Sequence, residues 1–304
     1  MRPEIQSRAV LAPSAPTTSL PATWTVIDVV RWTTARFSER ALGTPRLDAE
    51  LLIAHVLSLP RVQLYVQFER VLTPEELGTL RDLIKRRQAG ESIAYLTGRK
   101  EFWKFEFAVD ARVLVPRPDT ETLIEEALAR LGEPGGAPPR IADVGTGSGA
   151  LAITLAKLRA DAAVFASDAS APALEVARAN AERLGAAVTF VDGDLDAPLA
   201  AHAPFSLIVA NLPYIPTGEL PSLPADVRSE PASALDGGAD GLDLVRRLVA
   251  GAPALLGPGG VLALEIGAGQ AEATRAALQA AGFADIQTRR DLAGIERVVS
   301  GVKP

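Results

Sequence analysis

The sequence predicts an α/β fold: a seven-stranded Rossmann-like sheet, preceded by a small helical domain and a β-hairpin linker. Three observations carry that prediction. An apolar run from Arg140 to Val144 enters a glycine loop, Gly145-Thr146-Gly147-Ser148-Gly149, which opens into the helical pattern Ala150 to Lys157. Further apolar runs follow at 163–167, 188–191 and 205–210, the first two leading to acids at Asp168 and Asp192. Ahead of them, the chain up to about residue 90 spaces its apolar side chains as helices do.

Residues 1–22 are rich in Pro, Ala, Ser and Thr and lack the contiguous apolar core of a signal peptide, so a disordered leader is expected. Arg2 and Arg8 would suit an organelle transit segment, but Glu4 would not. Trp24–Leu42, Arg46–Leu59 and Pro74–Ala89 carry helical spacing, with Gly43-Thr44-Pro45 and Thr73-Pro74 as start signals, giving a helical domain over 23–91. Phe102 to Val115 alternates aromatic and polar positions, which fits a hairpin within a linker over 92–116 that Pro116 ends. The larger domain occupies 117–304. Asp119-Thr120-Glu121 starts its first helix, and 132–139, rich in Pro and Gly, is a joint. The proline-rich stretch from Tyr214 to Gly241 has no sustained periodicity and is expected to form a substrate lid. Leu242–Leu256 resumes helical spacing, Gly259–Ile266 reads as strand, Ala271–Ala281 as helix, and Ile286–Val302 as a terminal strand pair turning at Asp291 to Gly294.

The glycine loop selects the cofactor. Its spacing is G-x-G-x-G, not the dinucleotide G-x-G-x-x-G, and the strand delivers Asp143 just ahead of it. Asp168, at the end of the next strand, suits a pair of ribose hydroxyls. The third strand ends in Asp192-Gly193-Asp194-Leu195, placing an acid where an exocyclic adenine amine could donate to it. Each acid alone is ordinary helix-cap chemistry. The ordered series suits a nucleoside without phosphates, and favours S-adenosyl-L-methionine over a nicotinamide dinucleotide.

Asn211-Leu212-Pro213-Tyr214, directly after the fourth apolar run, indicates the acceptor. Asn-x-Pro by itself is turn chemistry. At the end of this strand it also suits a planar nitrogen, whose lone pair is delocalised and whose two N–H groups need acceptors. The Asn211 side-chain oxygen supplies one acceptor and the Leu212 carbonyl the other, while Pro213 stiffens the turn and Tyr214 packs on the planar group. Transfer is then an in-line displacement governed by orientation and fixed dipoles.

With these motifs the chain resembles the protein-(glutamine-N5) methyltransferases of the HemK/PrmC type. Ile93 to Gly98 with Glu101-Phe102-Trp103 looks like the family's approach to its linker hairpin, Arg117-Pro118-Asp119-Thr120-Glu121 like its R-P-x-T-E loop, and Asp143 to Gly149 like its cofactor loop. Asp226 to Pro231, with Ala234 to Gly238, resembles the segment after its N-P-P-Y motif. The resemblance runs from about Trp24 to the C-terminus. It implies a class I methyltransferase that modifies the Gly-Gly-Gln glutamine of peptide chain release factors, the helical domain docking that partner. It assigns Asp143 and Gly145 to Gly149 to the cofactor loop, Asp168 to the ribose, Asp194 and Leu195 to the adenine end, and Asn211 to Tyr214 to the substrate amide, with Asn211 also touching the cofactor. The sequence departs from the family at Leu212, where the first proline usually stands, at Ser229, where an aromatic residue is common, and at Leu195, where some members carry tryptophan.

Composition narrows the remaining classes. At 304 residues and 48% hydrophobic, the chain has room for one α/β domain and a smaller partner domain. With no cysteine, thiolate nucleophiles and zinc-thiolate sites are excluded. Of the two histidines, His55 lies in an apolar helical pattern and His202 in an alanine-proline loop, both suggesting structural or solvent roles, and no metal is expected. No apolar run is long enough to span a bilayer. A net charge of −6 disfavours general attraction to DNA, although residues 1–100 hold 14 Lys/Arg against 10 Asp/Glu. A cytoplasmic monomer without stable DNA binding is expected. Two other readings are an adenine N6-methyltransferase acting on flipped DNA bases, which uses the same Asn-Pro-Tyr logic, and a non-catalytic cofactor-binding assembly factor.

Overall fold

A computed structural model describes residues 23–133 and 137–304, so the expected leader and the centre of the 132–139 joint lie outside the described residues. Contacts divide the chain into two compact units that meet at Arg81/Asp82.

The first unit is helical. Thr25 caps α1 (Val26–Glu39) through a reciprocal capping box with Asp28. Pro45 opens α2 (Pro45–Val56), a short α3 (Gln63–Val66) follows, and α4 (Pro74–Gln88) runs across the division. Phe37, Leu52, Ile53 and Leu80 are almost wholly buried within this part of the chain. Helical spacing predicted the three long helices to within a few residues, but α3 is too short to show a period.

The second unit begins with α5 (Ile93–Thr97), closed by the left-handed Gly98, and a hairpin of β1 (Arg99–Phe102) and β2 (Phe105–Ala108). The hairpin therefore starts before the expected Phe102 and ends well before Val115. Phe102 and Phe105 are cross-strand partners flanking a tight turn at Trp103, whose φ is 57°, so the run of aromatic residues spans the turn instead of one strand. Val113 and Val115 are buried in a segment without strand pairing.

The remaining elements are α6 (Glu121–Leu131), β3 (Arg140–Val144), α7 (Ala150–Leu158), β4 (Ala163–Asp168), α8 (Ala171–Leu184), β5 (Val188–Asp192), β6 (Phe205–Ala210), α9 (Ala225–Arg228), α10 (Asp243–Leu255), β7 (Leu256–Glu265), α11 (Ala271–Ala280), β8 (Ala284–Arg290) and β9 (Glu296–Val302). The sheet is seven-stranded in the order β5-β4-β3-β6-β7-β9-β8. Its first five strands are parallel, and β9 pairs antiparallel with both β7 and β8. The central strands are covered on both faces, which is why they read as continuous apolar runs instead of alternating ones. Leu123, Ile124, Ile153 and Leu155 pack on one face, and Leu199, Leu248, Val249 and Leu278 on the other. Strand order reverses between β3 and β6, where a doubly wound sheet opens its ligand crevice at the carboxyl ends of the strands.

Candidate functional site

A cavity of about 550 Å³ lies at that crevice, within the size range of small-molecule sites. Its walls include Gly145 to Ser148, Asp168, Asp194, Leu195, Asn211, Leu212 and Pro213. A smaller space of about 170 Å³ adjoins Asn211 to Tyr214, bounded also by Leu114 and Arg117.

The glycine loop leaves β3 with φ of 75°, 56° and 83° at Gly145, Gly147 and Gly149. Gly149 is the left-handed N-cap of α7, where φ of 83° strains any L side chain and a Cβ would also crowd Ile153 Cδ1 at 2.7 Å and Ala177 Cβ at 3.3 Å, so glycine is favoured. Asp143 is wholly buried behind the loop, away from the cavity wall. One of its oxygens accepts from Thr146 Oγ1 at 2.6 Å and from the Ala152 amide at 3.1 Å, tying strand, loop and helix together. Its other oxygen has no partner among the described residues, and burial pushes its pKa up to about 7.

Asp168, at the end of β4, faces the cavity. Its two oxygens accept from the backbone amides of Gly147 and Ser170, both at 2.8 Å, and each keeps lone-pair capacity for a hydroxyl. Burial raises its pKa, against those two hydrogen bonds. A carboxylate this close to the loop repels a pyrophosphate, so the donor set fits a neutral or cationic nucleoside. Asp194 lies at the far end, solvent-exposed and paired with Arg247 at 2.5 Å, while Leu195 adopts φ 51° and its carbonyl accepts from Ser167 Oγ at 2.8 Å.

Asn211 follows Ala210, which pairs with Val144 of β3 and Leu264 of β7, so the motif and the glycine loop leave neighbouring strands together. Asn211 Nδ2 donates to Thr120 Oγ1 at 3.1 Å. Leu212 is buried, and a Cβ on Gly145 would approach its Cδ2 to 3.0 Å, so the leucine packs directly over the glycine loop. Tyr214 lines the smaller space, and burial pushes its phenol up to about 12.

The stretch after Tyr214 is more ordered than its lack of period suggested. The Ile215 amide donates to Leu235 O, the Gly237 amide to Ile215 O, and Thr217 N to Gly238 O, folding the segment back on the motif. A Cβ on Gly237 would meet Pro213 O at 2.6 Å and Gly241 O at 2.7 Å. Gln270 Nε2 adds a bond to Tyr214 O at 2.9 Å. Buried Glu230 accepts from the Val115 amide at 3.1 Å and pairs with Arg117, joining this segment to the loop before α6. Gln270 and Glu265, the latter buried at the end of β7, were missed because each is a lone polar residue beside an apolar run. His202 stacks on Phe165 at 4.7 Å. Among the described residues no cluster of three or more His, Asp or Glu is arranged to hold a metal, and no helix is long and apolar enough to cross a membrane.

Comparison with known proteins agrees with this geometry. Residues 28–98 match the PrmC N-terminal domain, and residues 141–229 a methyltransferase domain. A release factor glutamine methyltransferase of Geobacter sulfurreducens is 45% identical over 93% of this chain and 99% of its own length. One from Moorella thermoacetica is 47% identical over 86% of this chain and 93% of its own. A methyltransferase from Pyrococcus furiosus shares the fold, with a TM-score of 0.50 and 18% identity over 65% of this chain and 88% of that one. The sheet order, the cavity at its reversal and relatives matched nearly end to end place this chain in the release factor glutamine methyltransferase family.

Proposed function

We propose that this enzyme transfers a methyl group from S-adenosyl-L-methionine to the side-chain amide nitrogen of the glutamine in the Gly-Gly-Gln motif of class I peptide chain release factors. The observation that carries the reading is that Asn211 and the glycine loop wall one cavity. Bound S-adenosylmethionine supplies an electrophilic methyl group. Asp168 accepts the ribose hydroxyls, the Gly145 to Gly149 backbone lies against the cofactor, Asp143 holds that loop in shape, and Leu195 with Asp194 borders the adenine. Taking Asp194 as an adenine acceptor requires a lone pair not engaged by Arg247. The Asn211 side-chain oxygen and the Leu212 carbonyl hold the two amide protons, fixing the nitrogen lone pair toward the methyl group; one of those protons then leaves the methylated nitrogen for solvent, and Tyr214 packs beside the amide plane. Leucine in place of the family's proline preserves the carbonyl and contributes packing on Gly145. The helical part of the chain, 23–91, docks the release factor, with 92–116 as linker and 117–304 as the catalytic domain. The protein works as a cytoplasmic monomer without stable DNA binding.

The test is methyl transfer from labelled S-adenosylmethionine to purified release factor, to its Gly-Gly-Gln glutamine variant and to duplex DNA, with the modified atom located by mass spectrometry. Label on that glutamine and none on the variant is the expected result. Label on adenine, or binding of cofactor without transfer to any of them, overturns it.

A further inference from the structure

Glu265 is the last residue of β7 and only 1% exposed, yet neither of its carboxylate oxygens completes a hydrogen bond among the described residues. A buried carboxylate without partners is costly, and an isolated one is kept rarely without a use. Its surroundings point to one. Thr120 and Asn211 both reach toward it and lower its proton affinity, although burial outweighs them. Asn211 Nδ2 already donates to Thr120 Oγ1 at 3.1 Å. The three side chains therefore form one cluster, in which the Asn211 amide donates to the Thr120 hydroxyl, lies beside the carboxylate on the neighbouring strand and opens on the cavity.

A threonine hydroxyl has one proton to give. Toward an ionised Glu265, Thr120 gives it to the carboxylate, and its oxygen is then left to accept from Asn211, whose side-chain oxygen must face the cavity. With Glu265 protonated, the carboxylic acid donates to Thr120 instead. The threonine proton is released toward Asn211, whose amide is then satisfied with its oxygen turned inward and its NH2 facing the substrate. In that orientation two sets of N–H groups oppose one another. We propose that Glu265, acting through the Thr120 hydroxyl, is a positioning residue that holds the Asn211 amide with its acceptor oxygen toward the substrate nitrogen. This rests on the reading of Asn211 as the substrate-amide acceptor. The other groups that bear on the Glu265 charge are Arg297 from β9, which favours it, and Asp119 from the loop before α6, which opposes it. Tyr214, the last residue of the motif, senses the same charge. Arg297 is itself held by Asp291 at 3.1 Å and Asp119 at 3.5 Å. Burial pushes Glu265 up to about 7, so the arrangement switches near neutral pH.

The experiment has two readouts. The first needs no substrate: the side-chain amide NMR signal of Asn211, identified by its loss in Asn211→Ala, is followed against pH in wild type, Glu265→Gln, Thr120→Val and Thr120→Ser. The wild-type and Thr120→Ser signals should titrate with a midpoint near the Glu265 value, that of Glu265→Gln should not, and that of Thr120→Val should keep only the smaller direct effect of the neighbouring carboxylate. The second is kcat at saturating S-adenosylmethionine, so that titration of Asp143 under the cofactor loop affects occupancy little. Glu265→Gln and Thr120→Val should lower kcat roughly 10- to 100-fold at pH 8, with the cofactor KM unchanged and the rise of kcat with pH abolished, while Thr120→Ser keeps both. A wild-type amide signal that does not titrate, or a Glu265→Gln enzyme with full kcat on the glutamine substrate, overturns the proposal. If wild type methylates no glutamine at all while the Asn211 signal still titrates through Glu265, the acceptor assignment has failed and the relay has not.

Discussion

Glu265→Gln should make the folded protein more stable at alkaline pH while making the enzyme slower. The ordinary carboxyl value is near 4.5, and burial takes Glu265 to about 7. The folded state therefore holds this proton more tightly than the unfolded chain does. Stability falls as pH rises from about 4.5 toward 7 and is flat above, the reverse of a carboxylate that gains a cation on folding. At about 1.4 kcal/mol per pKa unit, the ionised side chain lowers stability by roughly 3 kcal/mol at pH 8, roughly 2 at pH 6 and close to zero at pH 4. Glutamine has nothing to ionise but must bury an amide, which offsets about 1 kcal/mol or more of that gain. The variant is thus expected to exceed wild type by about 1–2 kcal/mol at pH 8 and to fall level or slightly below at pH 4. Urea unfolding of both proteins at pH 4, 6 and 8, followed by circular dichroism, measures the difference, and the titration of Asp143 cancels because both proteins contain it. A difference that does not change with pH would refute the reasoning, since only the charge on Glu265 makes it pH-dependent.

Further outcomes are expected at four positions. Asn211→Ala should leave S-adenosylmethionine affinity by calorimetry within a few-fold while lowering kcat by roughly 100-fold or more, because it removes an acceptor used at the reacting nitrogen; equal losses in both would count against that role. Asp168→Asn should weaken cofactor binding about 10- to 100-fold, since its two oxygens meet two backbone N–H donors and an amide NH2 would oppose one of them. Leu212→Ala should cost about 2–4 kcal/mol in urea unfolding through the gap left over Gly145, whereas Leu212→Pro, at a position whose backbone N–H donates to no backbone carbonyl among the described residues, should retain activity within a few-fold. Gly237→Ala should lower both the unfolding midpoint and kcat, because its Cβ would sit 2.6 Å from Pro213 O and the motif backbone must move to admit it.

What could be read from the sequence depended on whether a feature was written in consecutive residues. The strand-loop-helix at 140–157 is legible because apolar period, glycine spacing and helical pattern agree within one segment. The motif at 211–214 is legible because it follows a run buried on both faces. The hairpin was misplaced because aromatic residues on both sides of Trp103 made one alternating pattern from two strands. Helix α8 (Ala171–Leu184) went unread among alanines whose period is weak, though Ser170 caps it and Gly185 closes it. The 214–241 segment read as irregular because its regularity is not periodic. Its backbone bonds go to Leu235, Ile215 and Gly238, pairings that no local pattern encodes.

The same distinction explains why the supporting side chains around Asn211 were invisible while Asn211 was not. An acceptor for a planar nitrogen has only a few chemical forms, and Asn-x-Pro after an apolar strand is one of them. What turns that acceptor in the right direction is assembled from far apart in the chain: Thr120 ahead of α6, Glu265 on β7 and Gln270 before α11. The first two act on its side chain and the third on the backbone that follows it. Register fixes the meeting, since Ala210 pairs with Leu264 and the next residues along the parallel strands are Asn211 and Glu265. A polar residue ending an apolar strand beside an Asn motif is then more than a strand terminator. In a parallel sheet it lies one strand-spacing from the reacting group, so its charge bears on the reaction even though it touches no substrate.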